Sequence, residues 1–186
     1  VNSTLKEKRK KSSSFLYNKL QRKEGLLERD SDKMVRDDRV IWGSCMVACG
    51  DADAMVTGNS RRYGQSLEKV KKVIDPRPGE IMFGMNMIVN KGKTVFIADT
   101  SVHEYPNSEQ LSEIAISASR VARLFGFEPK VAFLSHSTFG QPITSRTKHI
   151  REAVEILKKK KVDFKFDGDM QPDVALSDEY TDLYPF

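Results

Sequence analysis

Two stretches of the 186-residue chain carry side chains with chemistry to offer. The first is Cys49-Gly50-Asp51-Ala52-Asp53-Ala54-Met55-Val56-Thr57-Gly58-Asn59-Ser60-Arg61-Arg62-Tyr63-Gly64. An acidic turn leads into the short apolar run Ala54-Met55-Val56, which reads as an interior strand, and Gly58-Asn59-Ser60 ends that strand at a helix start. Helix-initial N–H groups, the Ser60 hydroxyl and the guanidinium forks of Arg61 and Arg62 are the donors that hold a phosphate beyond a strand end. The alternative is that both arginines are surface residues of a helix N-terminus. The second stretch is Leu134-Ser135-His136-Ser137-Thr138-Phe139-Gly140, where the hydroxyls of Ser135, Ser137 and Thr138 follow another strand and suit phosphate or carbonyl oxygens.

Other groupings exclude more than they suggest. Ser135 and His136 are neighbours on an extended chain and face opposite ways, so no nucleophile and base pair follows, and no nucleophile elbow occurs. His103, His136 and His149 match no metal-ligand spacing, so neither a metal site nor a catalytic residue is assigned. Neither a Gly-rich dinucleotide fingerprint nor a Gly-Lys-Ser/Thr phosphate loop is present. Asp99-Thr100 closes a strand at its carboxyl end and fits either a ligand contact or a turn and cap. Cys45 and Cys49 lie four apart on one apolar helix, poorly placed for a disulfide, and read as buried thiols.

The elements that must position these groups follow from periodicity. Leu16, Leu20, Leu26 and Leu27 mark a first helix ending near Gly25 or just beyond, Met34 to Ala48 a second, and Leu67, Val70, Val73 and Ile74 a third that Asp75-Pro76-Arg77-Pro78-Gly79 stops. That cluster divides the chain into 1–78 and 79–186. Beyond it, Ile81 to Val89 and Thr94 to Ala98 form a hairpin around Asn90-Lys91-Gly92-Lys93. Asn107 and Gln110 have capping-box spacing ahead of the stripe Leu111, Ile114, Ala115, Ala118, Val121, Ala122 and Phe125, with Gly126 as the stop. A strand from Val131 to Leu134, a helix from Ser145 to Leu157 and a strand near Phe164 to Phe166 complete an α/β pattern, mainly parallel sheets flanked by helices.

Composition agrees with a soluble α/β protein: 39% hydrophobic and 31% charged residues suffice for one ordinary core or two small ones. There is no apolar run of membrane-spanning length and no secretory leader pattern, so the expected location is cytoplasmic. The net charge of +5 arises in residues 1–40, which hold twelve Lys or Arg against seven Asp or Glu. The dense run Lys6 to Lys11, followed by Ser12 to Ser14, lacks interleaved aromatics, so a solvated helix face or frayed end is expected rather than a nucleic-acid surface.

Four runs in order, Gly50-Asp51-Ala52-Asp53-Ala54-Met55-Val56-Thr57-Gly58, Phe96-Ile97-Ala98-Asp99-Thr100, Leu134 to Gly140, and Asp167-Gly168-Asp169-Met170-Gln171, resemble successive signatures of the phosphotransacetylase family. Closer still is the likeness to the phosphotransacetylase-like domain at the C-terminus of bacterial NADP-dependent malic enzymes, and Leu20 to Gly25 is similar to the basic helix that precedes its core. The resemblance implies a two-lobed architecture, 1–78 being part of a first lobe and 79–186 a second, with further family strands before residue 1 and a Ser-Arg pair and an Asp after Phe186. It implies pairing through the second lobe as a homodimer or higher oligomer. It also implies a malic-enzyme domain in cis that uses NADP and Mg²⁺ or Mn²⁺, with every residue for that chemistry outside this sequence. The family transfers an acyl group between coenzyme A and phosphate using arginines, and one of them corresponds to Glu68 here. An anion there reverses the Coulomb term, by several kcal/mol if the site is poorly solvated. The expected role is therefore to sense acetyl-CoA or another acyl-CoA, through Ser60, Arg61, Arg62, Ser135, Ser137 and Thr138, with active acyl transfer to phosphate as the alternative.

Overall fold

The computed structural model describes residues 2–139 and 144–181. They form two compact units, Val1–Pro76 and Arg77–Phe186. The first is helical: α1 (Asn2–Glu24), α2 (Glu28–Asp37), α3 (Arg39–Ala48) and α4 (Tyr63–Val73). Residues 2–24 contain neither Gly nor Pro and include six Lys and three Leu, and the helix stops at Gly25, whose φ of 65° needs no Cβ. Leu26 and Leu27 therefore lie beyond α1, and Leu27 becomes the N-cap of α2.

The helix expected over Met34 to Ala48 is two helices, because Asp38 interrupts it. Its backbone is extended, and its carboxylate accepts from the N–H of Val40 (2.9 Å) and Ile41 (3.3 Å), so it caps α3. A short acidic side chain is worth more at a cap than within a helix. Lys69 of α4 pairs with the same carboxylate, and Arg61 Nη1 lies 3.5 Å from it. Leu16, Leu20, Val35, Ile41, Cys45 and Val73 make the core. At the α1–α2 contact Ser12, Ser13 and Ser31 are buried, with Ser13 and Ser31 Oγ 2.9 Å apart. Part of the stretch expected to be solvated is thus a close-packed seam, where small side chains let the helices approach. Cys45 is buried, which pushes its thiol up to about 12, whereas Cys49 is only half-buried, and both are free.

Ala54-Met55-Val56 does not form the expected strand. Val56 is fully exposed, and only Met55 turns inward, its sulfur lying where a Cβ on Gly43 would come within 2.5 Å. The described part of this unit contains no strand, so the segment has no ladder to join and its backbone groups turn to solvent. The next helix starts at Tyr63 with Arg62 as N-cap, later than the Gly58 to Ser60 turn suggests.

The second unit contains β1 (Met85–Asn90), β2 (Lys93–Ala98), α5 (Ser108–Leu124), β3 (Lys130–Leu134), α6 (Ser145–Lys160), β4 (Lys165–Met170), α7 (Pro172–Leu176) and α8 (Asp178–Thr181). β1 and β2 are an antiparallel hairpin pairing Asn90 with Lys93, its two-residue turn held by Lys91 (φ 48°) and Gly92 (φ 79°). It begins at Met85 rather than Ile81. The capping box of Asn107 and Gln110 forms as its spacing predicts. β3 and β4 are parallel, joined by α6, so the α/β class holds with one parallel and one antiparallel pair among the described residues. Ala115, Phe133, Ile150, Ala153, Val154, Leu157 and Phe164 form the core between α5, α6 and this sheet. At the C-terminal end of the apolar stripe Phe125 is exposed, lying 5.9 Å from Phe96 between ring centroids.

Phe133 lies opposite Gly168 in the parallel ladder, and a Cβ on Gly168 would meet Phe133 Cβ at 2.7 Å and its carbonyl oxygen at 2.9 Å. Backbone cannot yield as a flexible side chain can. Gly168→Ala is therefore expected to cost ~2–3 kcal/mol. In hydrogen exchange on the intact protein, amides 130–134 should lose protection while those of β1 and β2 keep it.

Candidate functional site

The site in the second unit is built at the carboxyl ends of β3 and β4. The ladder runs in register to Phe133↔Gly168 and then steps to Leu134↔Met170, leaving Asp169 without a partner across the strands. Its carbonyl accepts instead from Phe139 N at 2.8 Å, and its side chain turns inward, only 1% exposed. There the Ser137 hydroxyl donates to Oδ2, and Arg151 Nε of α6 donates to Oδ1 at 3.2 Å. Burying a carboxylate is costly without such partners, so the arrangement fixes three segments at one point.

Residues 135–139 are stapled to the end of β4 by further bonds. Ser135 N donates to Met170 O (2.9 Å), Gln171 N to Thr138 Oγ1 (3.0 Å) and Gln171 Nε2 to His136 O (2.8 Å). Of the three hydroxyls expected to meet a ligand, that of Ser137 is spent on Asp169. Ser135 Oγ accepts from Ser137 N at 3.3 Å, while the oxygen of Thr138 accepts from Gln171 and leaves its proton to offer. Gly140 lies outside the described residues. Asp169 and Arg151 were not among the sequence candidates. The acidic pair flanking Gly168 was a readable signal for Asp169, but nothing in the spacing of α6 sets Arg151 apart from its other basic residues.

A second buried carboxylate closes the hairpin. Asp99 is 3% exposed and accepts from the N–H groups of Gly84 (2.8 Å), Ser101 (3.1 Å), Val102 (3.2 Å) and His103 (2.8 Å), with His103 Nδ1 at 2.7 Å. The open choice between ligand contact and turn cap is thereby decided for the cap. Burial works to raise its carboxyl, but the Gly84 N–H, the His103 side chain and the N–H groups of Ser101 and Val102 outweigh that and hold it below the usual carboxylate range.

The other three candidates belong to the first unit. Ser60 and Arg62 are exposed around the start of α4, and Arg61 is drawn back onto Asp38. Burial raises the Asp38 carboxyl, yet the hydrogen bond from Lys69 and the N–H groups of Val40 and Ile41 bring it below its ordinary value. Glu68 is 72% exposed and 3.7 Å from Lys71, so its charge is screened and the large penalty expected of a poorly solvated anion does not arise. Among the described residues no three His, Cys, Asp or Glu side chains gather as metal ligands, and no helix is long and apolar enough to cross a membrane.

Comparison with known proteins gives a consistent picture. The family profile described as phosphate acetyl/butaryl transferase matches residues 1–183. An NADP-dependent malic enzyme of Rhizobium meliloti is 45% identical over the whole chain, which covers 24% of that protein. A phosphate acetyltransferase of Nitratidesulfovibrio vulgaris is 33% identical over 86% of this chain and 23% of its own length. A phosphotransacetylase crystal structure from Streptococcus pyogenes superposes with a TM-score of 0.80 at 27% identity, covering 95% of this chain and 53% of that one. The chain thus spans about a quarter of these curated relatives and about half of the solved structure.

Two outcomes check the site. Asp169→Ala removes a buried carboxylate but leaves Arg151 partly exposed and able to rehydrate, so the cost should sit near ~3 kcal/mol, the low end for a broken buried pair. Ser137→Ala should cost ~1–2 kcal/mol, and both are read from exchange protection of amides 165–170 in the intact protein. For Asp99 the folded value lies below the unfolded one, so its contribution is complete above about pH 4 and is lost as pH falls through the folded value. Exchange at the Ser101 and Val102 amides should therefore accelerate only below that pH, and Asp99→Asn should abolish the acceleration.

Proposed function

The chain belongs to the phosphate acetyl/butaryl transferase family, and on that premise we propose that it is the acyl-CoA-sensing, non-catalytic segment of an NADP-dependent malic enzyme. The parent polypeptide, on this reading, converts malate to pyruvate and CO₂ with NADP and Mg²⁺ or Mn²⁺, as a cytoplasmic homo-oligomer whose malic-enzyme portion lies in cis. Identity to a malic enzyme over the full length of the chain supports that parent.

The observation that carries the sensing role is the ion pairing of Arg61 with Asp38. Acyl transfer to phosphate needs guanidinium field directed at charge that develops in the transition state. Arg61 spends its field on a carboxylate of its own unit, which Lys69 shares. Arg62 at the N-terminus of α4 then serves as the cation for a coenzyme A phosphate, with Ser60 beside it. Binding an effector regulates only if one state of the assembly binds it better. Acetyl-CoA is the effector proposed.

The second reading, an active phosphate acetyltransferase, is favoured by the 33% identity to a protein of that name. Calorimetry and activity on the intact polypeptide separate the two. Acetyl-CoA should bind saturably and change the rate of malate oxidation, with no acetyl phosphate formed when phosphate is added. Arg62→Ala should weaken binding about tenfold, the worth of one charge-assisted hydrogen bond. Robust acetyl phosphate formation would replace sensing with catalysis, and absence of acetyl-CoA binding would end both readings.

A further inference from the structure

The first unit holds a basic hollow that the acyl-CoA reading does not use. α1, α2 and α3 meet around a cavity of about 590 Å³, with Arg9, Arg36, Arg39 and Trp42 on its walls. That volume falls in the range of small-molecule sites. Three guanidinium groups face one carboxylate there, that of Asp37, which Arg36 Nε meets at 3.0 Å, so the hollow is cationic by two charges. Arg9 lies over the Trp42 ring, 4.7 Å from its centroid. The Trp42 indole Nε1–H is buried and has no acceptor among the described residues.

The chemistry of these groups selects the partner. A guanidinium only donates, so nothing on the two arginines outside the Asp37 pair can accept a hydrogen bond. Guanidinium forks engage two oxygens of one group, and stacking on the indole holds the Arg9 fork in a defined plane.

We propose that this hollow is a binding site for a small oxyanion, a phosphate-bearing or dicarboxylate metabolite, held by Arg9, Arg36 and Arg39, with the Trp42 ring backing Arg9. Asp37 limits the site to ligands whose charge outweighs its own, which favours a diphosphate over a single phosphate. The site is independent of acyl-CoA recognition, since it shares no residue with that ligand set.

Calorimetric titration of the intact polypeptide with inorganic diphosphate, inorganic phosphate and succinate tests it, each in the presence of saturating acetyl-CoA so that the acyl-CoA site is filled. Diphosphate should bind most tightly, and tighter binding of succinate would assign the dicarboxylate instead. Arg39→Gln should weaken the preferred anion about tenfold, and Trp42→Leu, which removes the aromatic face that Arg9 lies over, by a smaller factor of roughly three to ten. Unchanged helical circular dichroism qualifies each variant, and Arg9→Gln replaces any that fails to fold. Affinity unmoved by these substitutions, or no saturable binding of any of the three anions, overturns the site.

Discussion

A carboxylate taken out of water must find a donor for each of its oxygens, and that requirement organises the second unit. Asp169 meets it by drawing a hydroxyl from the loop after β3 and a guanidinium from α6. Because the ladder slips by one residue there, the backbone of Asp169 is freed to hold Phe139 as well. The two strands, the loop and the helix are thus fixed by one residue at the place where α/β proteins of this kind present their ligands. The first unit repeats the device with Asp38, which ends one helix, caps the next and gathers Lys69 and Arg61. In both units the cost of a half-buried or buried anion is met by parts that are distant in sequence, so the anion acts as a joint.

These joints bear on function because they commit the charges. A loop rich in hydroxyls and arginines looks, as sequence, like a set of free donors. In the folded chain Ser137 and Arg151 serve Asp169, and Arg61 serves Asp38. What is left for a ligand is smaller and more exposed, chiefly Arg62 and the Thr138 proton. An exposed guanidinium such as that of Arg62 suits holding a phosphate in solvent reach better than stabilising charge in a dry transition state.

Much of the fold was legible because local rules set it. The Asn107–Gln110 box, the Lys91-Gly92 turn and the glycine stops after α1 and α5 need only their own neighbours to form. The failures came where the deciding partner was remote or missing. Ala54-Met55-Val56 has the composition of a strand, but pairing is a property of two segments, and among the described residues of its unit there is no second one. Met34 to Ala48 has unbroken periodicity, and Asp38 breaks it because Lys69 and Arg61, from the far end of the unit, reward its carboxylate for leaving the helix. Asp169 announced itself through Gly168, whereas Arg151 sits among similar basic residues and is distinguished only by what the fold places beneath it.

The packing of the first unit also bears on the order in which it is made. Its core joins Leu16 and Leu20 of the first helix to Val73 at the end of the last, and Lys19 donates to the Val73 carbonyl at 2.8 Å. A growing chain emerges from the ribosome N-terminus first. Within this segment, then, α1 is synthesised long before the residue that seals it, and its apolar face with Phe15, Leu16 and Leu20, met first by Val35 and Ile41, is closed only when Val73 has cleared the exit tunnel. The lysines and arginines on the rest of α1 keep that waiting helix soluble, a use of the basic N-terminal run that concerns birth of the protein and not its ligands.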